Sequence, residues 1–307
     1  MDNSSAAVAV QTRVRLGVSP LSWVNEVLVD FGDGTDPEQC MSEAMTSGFT
    51  GVELSRIFPR DASALTRLLR RHRLALVSGW YSGALADRSV NTEIDAVKDH
   101  ASLLKACGSS VMVYGECGRI PTNPLDTAMS SRHTLDADEW TDYGARLTDF
   151  AERLHDEFGL SLAYHHHLMT VVETLDEIRA LMKATGPAVG LLLDTGHAFA
   201  AGFDYAKLIL EYGSRINHIH LKDVRANVLA DVRKSDFSFN NAVRAGMFGV
   251  PGDGAVDYAP LAKFLAQGSY CGWLVVEAEQ DPTQAPPAET VKRAFDFSCK
   301  HILKSTL

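Results

Sequence analysis

Carboxylate and imidazole side chains late in this 307-residue chain are of the types that bind a divalent cation. Asp194 and Glu277 each directly follow an apolar run that is typical of a buried strand. Between them, His218 and His220 are separated by one residue, so in a strand both rings point to the same side. Carboxylate oxygens and imidazole nitrogens are ligands of Mn²⁺ or Co²⁺. These residues therefore predict one mixed oxygen and nitrogen site for a divalent ion.

The cysteines argue against a structural zinc site. The sequence holds five of them, widely spaced and without a CxxC pair, and it has no HExxH motif. An odd number of scattered cysteines is typical of reduced thiols in a cytosolic protein. We therefore expect a cytoplasmic protein whose metal ligands are carboxylates and histidines.

Polar and aromatic residues also follow the other apolar runs of the chain. A single such residue usually has a structural role, and Asp194 by itself would be read as a helix cap. Their coincidence at successive strand ends favours a functional pocket instead. They are Trp23, Glu53, Trp80, Tyr81, Tyr114, Glu116, His165, His166, His167, His197, Lys222, Asp223 and Glu279, of which we expect Glu279 to be exposed or to support a ligand.

The elements that position these residues are short apolar strands alternating with amphipathic helices. Strands are predicted at Val14–Val18, Thr50–Leu54, Leu74–Gly79, Ser110–Tyr114, Leu160–His165, Val189–Asp194, Ile216–Leu221 and Gly272–Glu277. Helices are predicted at Asp36–Ser47, Asp61–His72, Thr92–Ala106, Asp136–Glu157, Thr174–Ala184 and Pro286–Leu303.

Eight strands, most of them followed by a helix, predict a (β/α)8 TIM barrel. A doubly wound open sheet is disfavoured because no GxGxxG turn follows the first strand. We expect residues 1–12 to be a disordered leader and residues 13–307 to form a single barrel domain. Two connections are long for a barrel, Glu116–Ala137 and Asp223–Asp257, and the glycines of the second one, in Val250–Gly254, indicate a tight turn.

The charge balance indicates what kind of partner the protein binds. The formal net charge is -10, which argues against binding a phosphate backbone. No run approaches the ~20 apolar residues that cross a bilayer. We therefore expect a small-molecule substrate and neither a nucleic-acid nor a membrane partner; a homo-oligomer is compatible with the sequence, which does not fix the oligomeric state.

Several longer motifs resemble the inosose dehydratase family of myo-inositol catabolism, within the xylose isomerase-like TIM barrel superfamily. The resemblance runs from about Val14 to the C-terminus. The motif at Leu193–His197 and the pair His218 and His220 are common to the superfamily, whereas the combination of all the motifs is more specific. The motifs are Phe49–Glu53, Tyr114–Glu116, Tyr164–His167, Leu193–His197, His218–Arg225, Val250–Gly254 and Trp273–Pro282.

The resemblance implies a ligand set and a reaction. Asp194, His220 and Glu277 occupy the positions of metal ligands in the superfamily, and His165 stands near the position of a glutamate that keto-sugar epimerases use, so either His165 or His167 reaches the metal. The implied reaction is dehydration of 2-keto-myo-inositol to a trihydroxycyclohexane-dione, with Mn²⁺ or Co²⁺ and the glutathione requirement associated with the family. A keto-sugar or cyclitol epimerase or isomerase with the same metal site is the alternative.

The same resemblance suggests which residues act on the substrate. The candidates for proton transfer are Glu277, His165, His167, His197, Lys222 and Glu53. The candidates for substrate binding are Trp23, Trp80, Tyr114, Glu116, His167 and Arg225.

Overall fold

Parallel strands curl into a closed barrel in the computed structural model, which describes residues 14–119 and 126–303. The predicted leader, residues 1–12, lies outside the described residues, and the single-domain organisation stays a prediction. The barrel strands are β1 (Val14–Val18), β2 (Gly51–Val52), β3 (Ala75–Leu76), β4 (Trp80–Gly83), β5 (Val111–Glu116), β6 (Ser161–His165), β7 (Val189–Asp194), β8 (Ile216–Leu221) and β11 (Gly272–Val276). The predicted (β/α)8 barrel is thus confirmed.

The barrel closes through its third strand, which changes neighbours halfway along. β3 pairs with β2, and β4 pairs with β5. The residues between β3 and β4 continue the backbone hydrogen bonds to the neighbouring strands on both sides. Val77 N–H donates to Val52 O, and Gly79 O accepts from Val113 N–H. The predicted strand Leu74–Gly79 therefore contains β3 but ends before β4, and β3 and β4 are two short segments of one barrel strand. At the other side of the molecule β1 pairs with β11 over five residues.

Helices cover the outside of the barrel. They are α1 (Pro37–Ser47), α2 (Ala62–Arg71), α3 (Val90–Ala106), α4 (Glu139–Phe158), α5 (Leu175–Ala184), α6 (Thr195–Ala200), α7 (Ala206–Tyr212), α8 (Ala226–Lys234), α9 (Phe239–Arg244), α10 (Ala259–Ala266) and α11 (Pro287–Phe297). Asp61 and Thr174 cap the first turns of α2 and α5 by accepting backbone N–H bonds, as expected of helix starts. Within the described residues, no helix has the length and apolarity that a membrane crossing requires.

Side chains alternate between the inside and the outside of each barrel strand. Val113 of β5, Ala163 of β6 and Leu192 of β7 form a small cluster inside the barrel, separate from the large core between strands and helices. Because side chains alternate with a period of two, the next inward positions toward the carboxyl ends are Gly115, His165 and Asp194. The inside of the barrel is therefore apolar in the middle and polar at its carboxyl end.

The connection Asp223–Asp257, expected to be a long loop, is a folded segment. It contains β9 (Asp223–Val224) and β10 (Phe248–Gly249), which pair antiparallel, with α8 and α9 between them. We call residues 223–257 the roof segment. Its first and last parts are joined by Asp223, whose carboxylate accepts N–H bonds from Gly252 and Val256, and the expected tight turn is present, with Gly252 at φ 96°.

The roof segment has a hydrophobic cluster of its own. Its side chains pack against the loop after β1 and against the start of the β6–α5 connection rather than into the barrel core. The buried members are Leu28, Phe31, Leu168, Met169, Ala200, Val224, Leu229, Val232, Phe239, Ala242, Val243, Met247 and Phe248.

Candidate metal centre and substrate pocket

Four inward-facing residues at the carboxyl ends of neighbouring strands meet in one cluster. His165 ends β6, Asp194 ends β7, His220 lies in β8 and Glu277 follows β11. One ligand atom from each lies within 4.8 Å of the others, and all four side chains are buried. The predicted grouping of Asp194, His220 and Glu277 is thus present, and His165 is the histidine of its triplet that joins them.

The distances within this cluster leave room for a cation between the ligand atoms. Asp194 Oδ2 lies 3.5 Å from His165 Nε2 and 3.7 Å from His220 Nδ1. Glu277 Oε2 lies 2.8 Å from His220 Nδ1. In the described part of the chain, Asp194 Oδ2, His220 Nδ1 and Glu277 Oε2 are enclosed and make no well-aligned hydrogen bond, although His220 Nδ1 and Glu277 Oε2 are close to each other. Buried polar atoms without well-aligned hydrogen bonds are costly, so a divalent ion at this point fits the residues present.

Asp194 uses its two oxygens differently. Oδ1 accepts the N–H of His197 at 2.7 Å and so caps α6, as a strand-end aspartate commonly does. This bond orients the carboxylate, and Oδ2 is directed toward His165 and His220. The residue therefore serves as a helix cap and is also available as a ligand.

A carboxylate on the far side of His220 fixes which ring nitrogen faces the cluster. Glu53 Oε1 lies 3.1 Å from Nε2 of both His220 and His218, and it accepts the hydroxyl of Ser78 at 2.6 Å. Burial would raise the pKa of Glu53, but His220 and His218 hold this pKa well below its ordinary value. Since His220 donates its Nε2 hydrogen to the Glu53 carboxylate, Nδ1 is left as the nitrogen available to a metal.

Lys222 lies between the cluster and a second group of polar side chains. Its Nζ is 3.0 Å from Glu277 Oε2, 3.0 Å from Glu279 and 3.1 Å from His197 Nε2. Burial would lower the pKa of Lys222, but Glu277, Glu279 and Asp194 raise it, so Lys222 is an ammonium. Glu279 is buried and paired with Lys222, so the expectation that it is exposed is wrong, while the other expectation, that it supports a ligand, stays a prediction. Gly196 leaves room for this lysine, because a Cβ there would lie 2.5 Å from Lys222 Cγ.

The three consecutive histidines alternate in direction. His166 points out of the barrel, where its Nε2 accepts the N–H of Asp194. His167 points back in and its ring centroid lies 3.8 Å from that of His197. Burial lowers the pKa of His167 to about 3, so its ring is neutral. Its Nδ1 lies 2.6 Å from the carbonyl oxygen of Leu168 and donates to it, which leaves Nε2 without a hydrogen.

A cavity of about 550 Å³ opens above the cluster. This volume is in the range of small-molecule sites. The predicted site residues that line it are Glu53, Trp80, His165, His167, His220, Lys222 and Glu277. Trp80 forms one wall, with its ring edge-to-face against His165 and His167, and it fits there because the neighbouring inward position is Gly115.

Two residues predicted to bind substrate lie outside the barrel wall. Tyr114 and Glu116 of β5 point toward the helices, because Val113 points inward. Tyr114 packs on Phe150 of α4 and donates its hydroxyl hydrogen to Glu116. Burial raises the pKa of Glu116 to about 7. The structure therefore places this pair in the strand–helix interface, and the prediction that it lines the pocket is corrected.

Two further predicted residues also lie away from the cavity. Trp23 is buried and donates its indole N–H to Glu43 of α1. Arg225 donates to the carbonyl oxygens of Gly246 and Phe248, so it joins the two ends of the roof segment. Both side chains make their hydrogen bonds within the fold, and neither lines the cavity.

The residues that the roof contributes to the pocket were not predicted from the sequence. Phe239, Asn240 and Val243 of α9 line the cavity, together with Leu168 and Met169. The length of the connection after β8 was the only signal for them, since long loops of a barrel gather at this face.

Comparisons with known proteins agree with this geometry. The model of the family described as xylose isomerase-like TIM barrel matches residues 41–301. The rhizopine catabolism protein MocC of Rhizobium meliloti is 43% identical over 283 residues, which cover 92% of this chain and 87% of that protein. Inosose dehydratase of Geobacillus thermodenitrificans is 38% identical over 291 residues, which cover 94% of this chain and 97% of that protein.

Solved structures resemble the chain in fold. A crystal structure of the IolI protein with a bound zinc atom has a TM-score of 0.67 at 14% identity and covers 95% of this chain and 99% of that one. D-allulose 3-epimerase from Methylomonas sp. in complex with D-allulose has a TM-score of 0.65 at 17% identity and covers 94% of this chain and 98% of that one. At these identities the likeness concerns the fold alone.

Proposed function

Because the chain belongs to the xylose isomerase-like TIM barrel family, and within it to the group of relatives named inosose dehydratase or MocC, we propose that it is a divalent-metal-dependent dehydratase. Its proposed substrate is 2-keto-myo-inositol and its product is a trihydroxycyclohexane-dione. The observation that carries the proposal is the buried cluster of His165, Asp194, His220 and Glu277 beneath a cavity, in which three enclosed atoms make no well-aligned hydrogen bond.

These four residues would hold the ion, which is Mn²⁺ or Co²⁺ in this proposal. When bound, the ion would polarise the substrate ketone and lower the energy of the enolate that forms from it. The glutathione requirement implied by the resemblance stays a prediction.

The residues beside the cluster support the proton transfers of a dehydration. His167 lines the cavity with an unprotonated Nε2, which can accept the hydrogen on the carbon next to the ketone. Lys222 lines the same cavity and can give a proton to the departing hydroxyl group, so that the C–O bond breaks and water leaves. Trp80 would cover one face of the ring.

The test is a reaction of metal-stripped protein with 2-keto-myo-inositol, with and without Mn²⁺ or Co²⁺, followed by mass spectrometry. We expect a metal-dependent loss of one water. An unchanged mass with an altered stereoisomer would indicate the epimerase instead, and no change with either metal would contradict the proposal.

Asp194→Ala tests the link to the cluster. It removes one ligand and one helix cap, so turnover should be lost and stability should fall by about 1 kcal/mol. Asp61→Ala is the control, because it removes the cap of α2, where Asp61 accepts from Ala64 N–H, and leaves the cluster intact. Turnover by Asp194→Ala at the rate of the Asp61→Ala protein would reject the ligand assignment.

A further inference from the structure

Asn240 is the polar residue that the roof segment presents to the cavity from α9. It is buried and lines the cavity between its apolar neighbours Phe239 and Val243. The proposed reaction makes no use of it.

The helix that carries Asn240 is tethered at both ends to other loops of the barrel. At its beginning, Asn240 Nδ2 donates to Asp126 Oδ1 at 2.7 Å, in the connection between β5 and α4. At its end, Arg244 makes two hydrogen bonds of 2.7 and 2.8 Å to Asp30, in the loop after β1. α9 thus spans the mouth of the barrel between two loops, and its position over the cavity is defined from both sides.

The contact with Asp126 also decides how the amide of Asn240 is oriented. An ionised carboxylate only accepts hydrogen bonds, so it selects the NH2 group of the amide as its partner. The other end of the amide, Oδ1, receives no hydrogen bond from the residues that the structure describes, and it is not among their enclosed unpaired atoms. Oδ1 therefore stays available as an acceptor for a ligand in the cavity that Asn240 lines.

We propose that Asn240 is a substrate-recognition residue whose Oδ1 accepts a hydrogen bond from a hydroxyl group of the ring bound in the cavity. Phe239 and Val243 on either side contact C–H groups of the same ring. The class of ring rests on the proposed function, whereas the acceptor and its orientation rest on the geometry of α9.

Asn240→Ala tests this assignment, with Asn241→Ala as the matched control. Asn241 is the next residue of α9 and its side chain is exposed. Loss of one hydrogen bond to the substrate should raise KM about tenfold and leave kcat within about twofold. Asp126→Ala should raise KM by a smaller factor, because the amide remains but is no longer held.

A second measurement separates recognition from chemistry. Isothermal titration calorimetry of the Mn²⁺-loaded proteins with myo-inositol, which lacks the ketone, reports binding without turnover. We expect the Kd of Asn240→Ala to rise about tenfold and that of Asn241→Ala to match the wild-type value.

The possible outcomes distinguish the two proposals. If wild-type protein binds myo-inositol but does not dehydrate the ketone, the proposed function fails and the calorimetry still decides on Asn240. If KM and Kd of Asn240→Ala both stay within twofold of the Asn241→Ala values, the assignment of Asn240 is wrong. Wild-type protein that binds neither ring contradicts both proposals.

Discussion

Glu53 shows how a residue that sequence reasoning places among the catalytic candidates can act through a neighbour. Its Oε1 accepts from Ser78 and lies 3.1 Å from both His218 and His220, so the hydrogen-bonding capacity of this oxygen is used inside the fold. The geometry favours a positioning role, in which Glu53 holds the His220 ring with Nδ1 toward Asp194 and Glu277.

Glu53→Gln should therefore weaken metal binding more than it weakens the chemical step. The neutral amide holds the Nε2 hydrogen of His220 less firmly, and loss of such a partner typically lowers metal affinity by about tenfold or more. The measurement is Mn²⁺ affinity by competition with a chelator, followed by turnover at saturating Mn²⁺.

The control is Glu43→Gln, which alters the carboxylate that accepts from Trp23 away from the cavity. If Glu53→Gln binds Mn²⁺ like this control but turns over no substrate, Glu53 transfers a proton and the positioning role is rejected.

Residue types and strand ends predicted a site from Asp194, Glu277 and the pair His218 and His220, and the family resemblance singled out His220. The choice of His165 over His167 was not predictable from alternation, because both rings point inward from the same strand. The two histidines are distinguished only by their neighbours in the structure, because His165 lies beside Asp194 and His167 lies beside His197.

At the scale of elements, the alternation within β5 explains the main error about the pocket. Val113 points inward, so Tyr114 and Glu116 must point outward, and this could have been inferred from the period of two. The outward position of Glu116 encloses its carboxyl group between β5 and α4, and burial raises the pKa of this group to about 7.

Glu116→Gln should make the stability of the protein less dependent on pH. A pKa above the ordinary value of 4.5 means that the folded state favours the neutral form. The contribution of Glu116 to the free energy of unfolding is fully present below about pH 4.5 and is lost as the pH rises to about 7. It amounts to at most about 3 kcal/mol. Denaturant unfolding at pH 5 and pH 8 measures it.

We expect the wild-type protein to lose more stability than Glu116→Gln between these two values of pH. Glu152→Gln, on the exposed side of α4, serves as the control and should behave like the wild type. Equal losses in all three proteins would show that Glu116 does not titrate in this range.

Elements with strong local signals were predicted close to their observed bounds. α2 and α5 follow the caps Asp61 and Thr174, and β7 and β8 have the predicted limits. The helices of the roof segment were missed because α8 has nine residues and α9 has six, too few for a clear helical period.

At the scale of the whole molecule, the two largest hydrophobic clusters of the described residues are of different kinds. One fills the space between barrel and helices, and the other lies within the roof segment and the loops it touches. Because the roof cluster is separate, we expect the roof to open without unfolding of the barrel.

Met247→Ala and Met112→Ala form a matched pair that tests this separation. Both methionines are fully buried, Met247 in the roof cluster and Met112 in the barrel core. Each truncation should lower the stability of the cluster that contains the methionine by about 2–5 kcal/mol. Met247→Ala should accelerate amide hydrogen exchange in residues 223–257 with little change in the barrel strands, whereas Met112→Ala should accelerate exchange throughout. A uniform increase in both variants would mean that roof and barrel unfold together.

The pairing of β1 with β11 has a consequence for the order in which the chain can fold during its synthesis. Val14 is aligned with Gly272, so one edge of the first strand has no partner until the ribosome has released almost all of the described chain. An unpaired strand edge exposes backbone N–H and C=O groups that can pair with strands of other molecules. The short length of β1, five residues with an arginine on it, limits that hazard for the nascent protein until the last strand arrives.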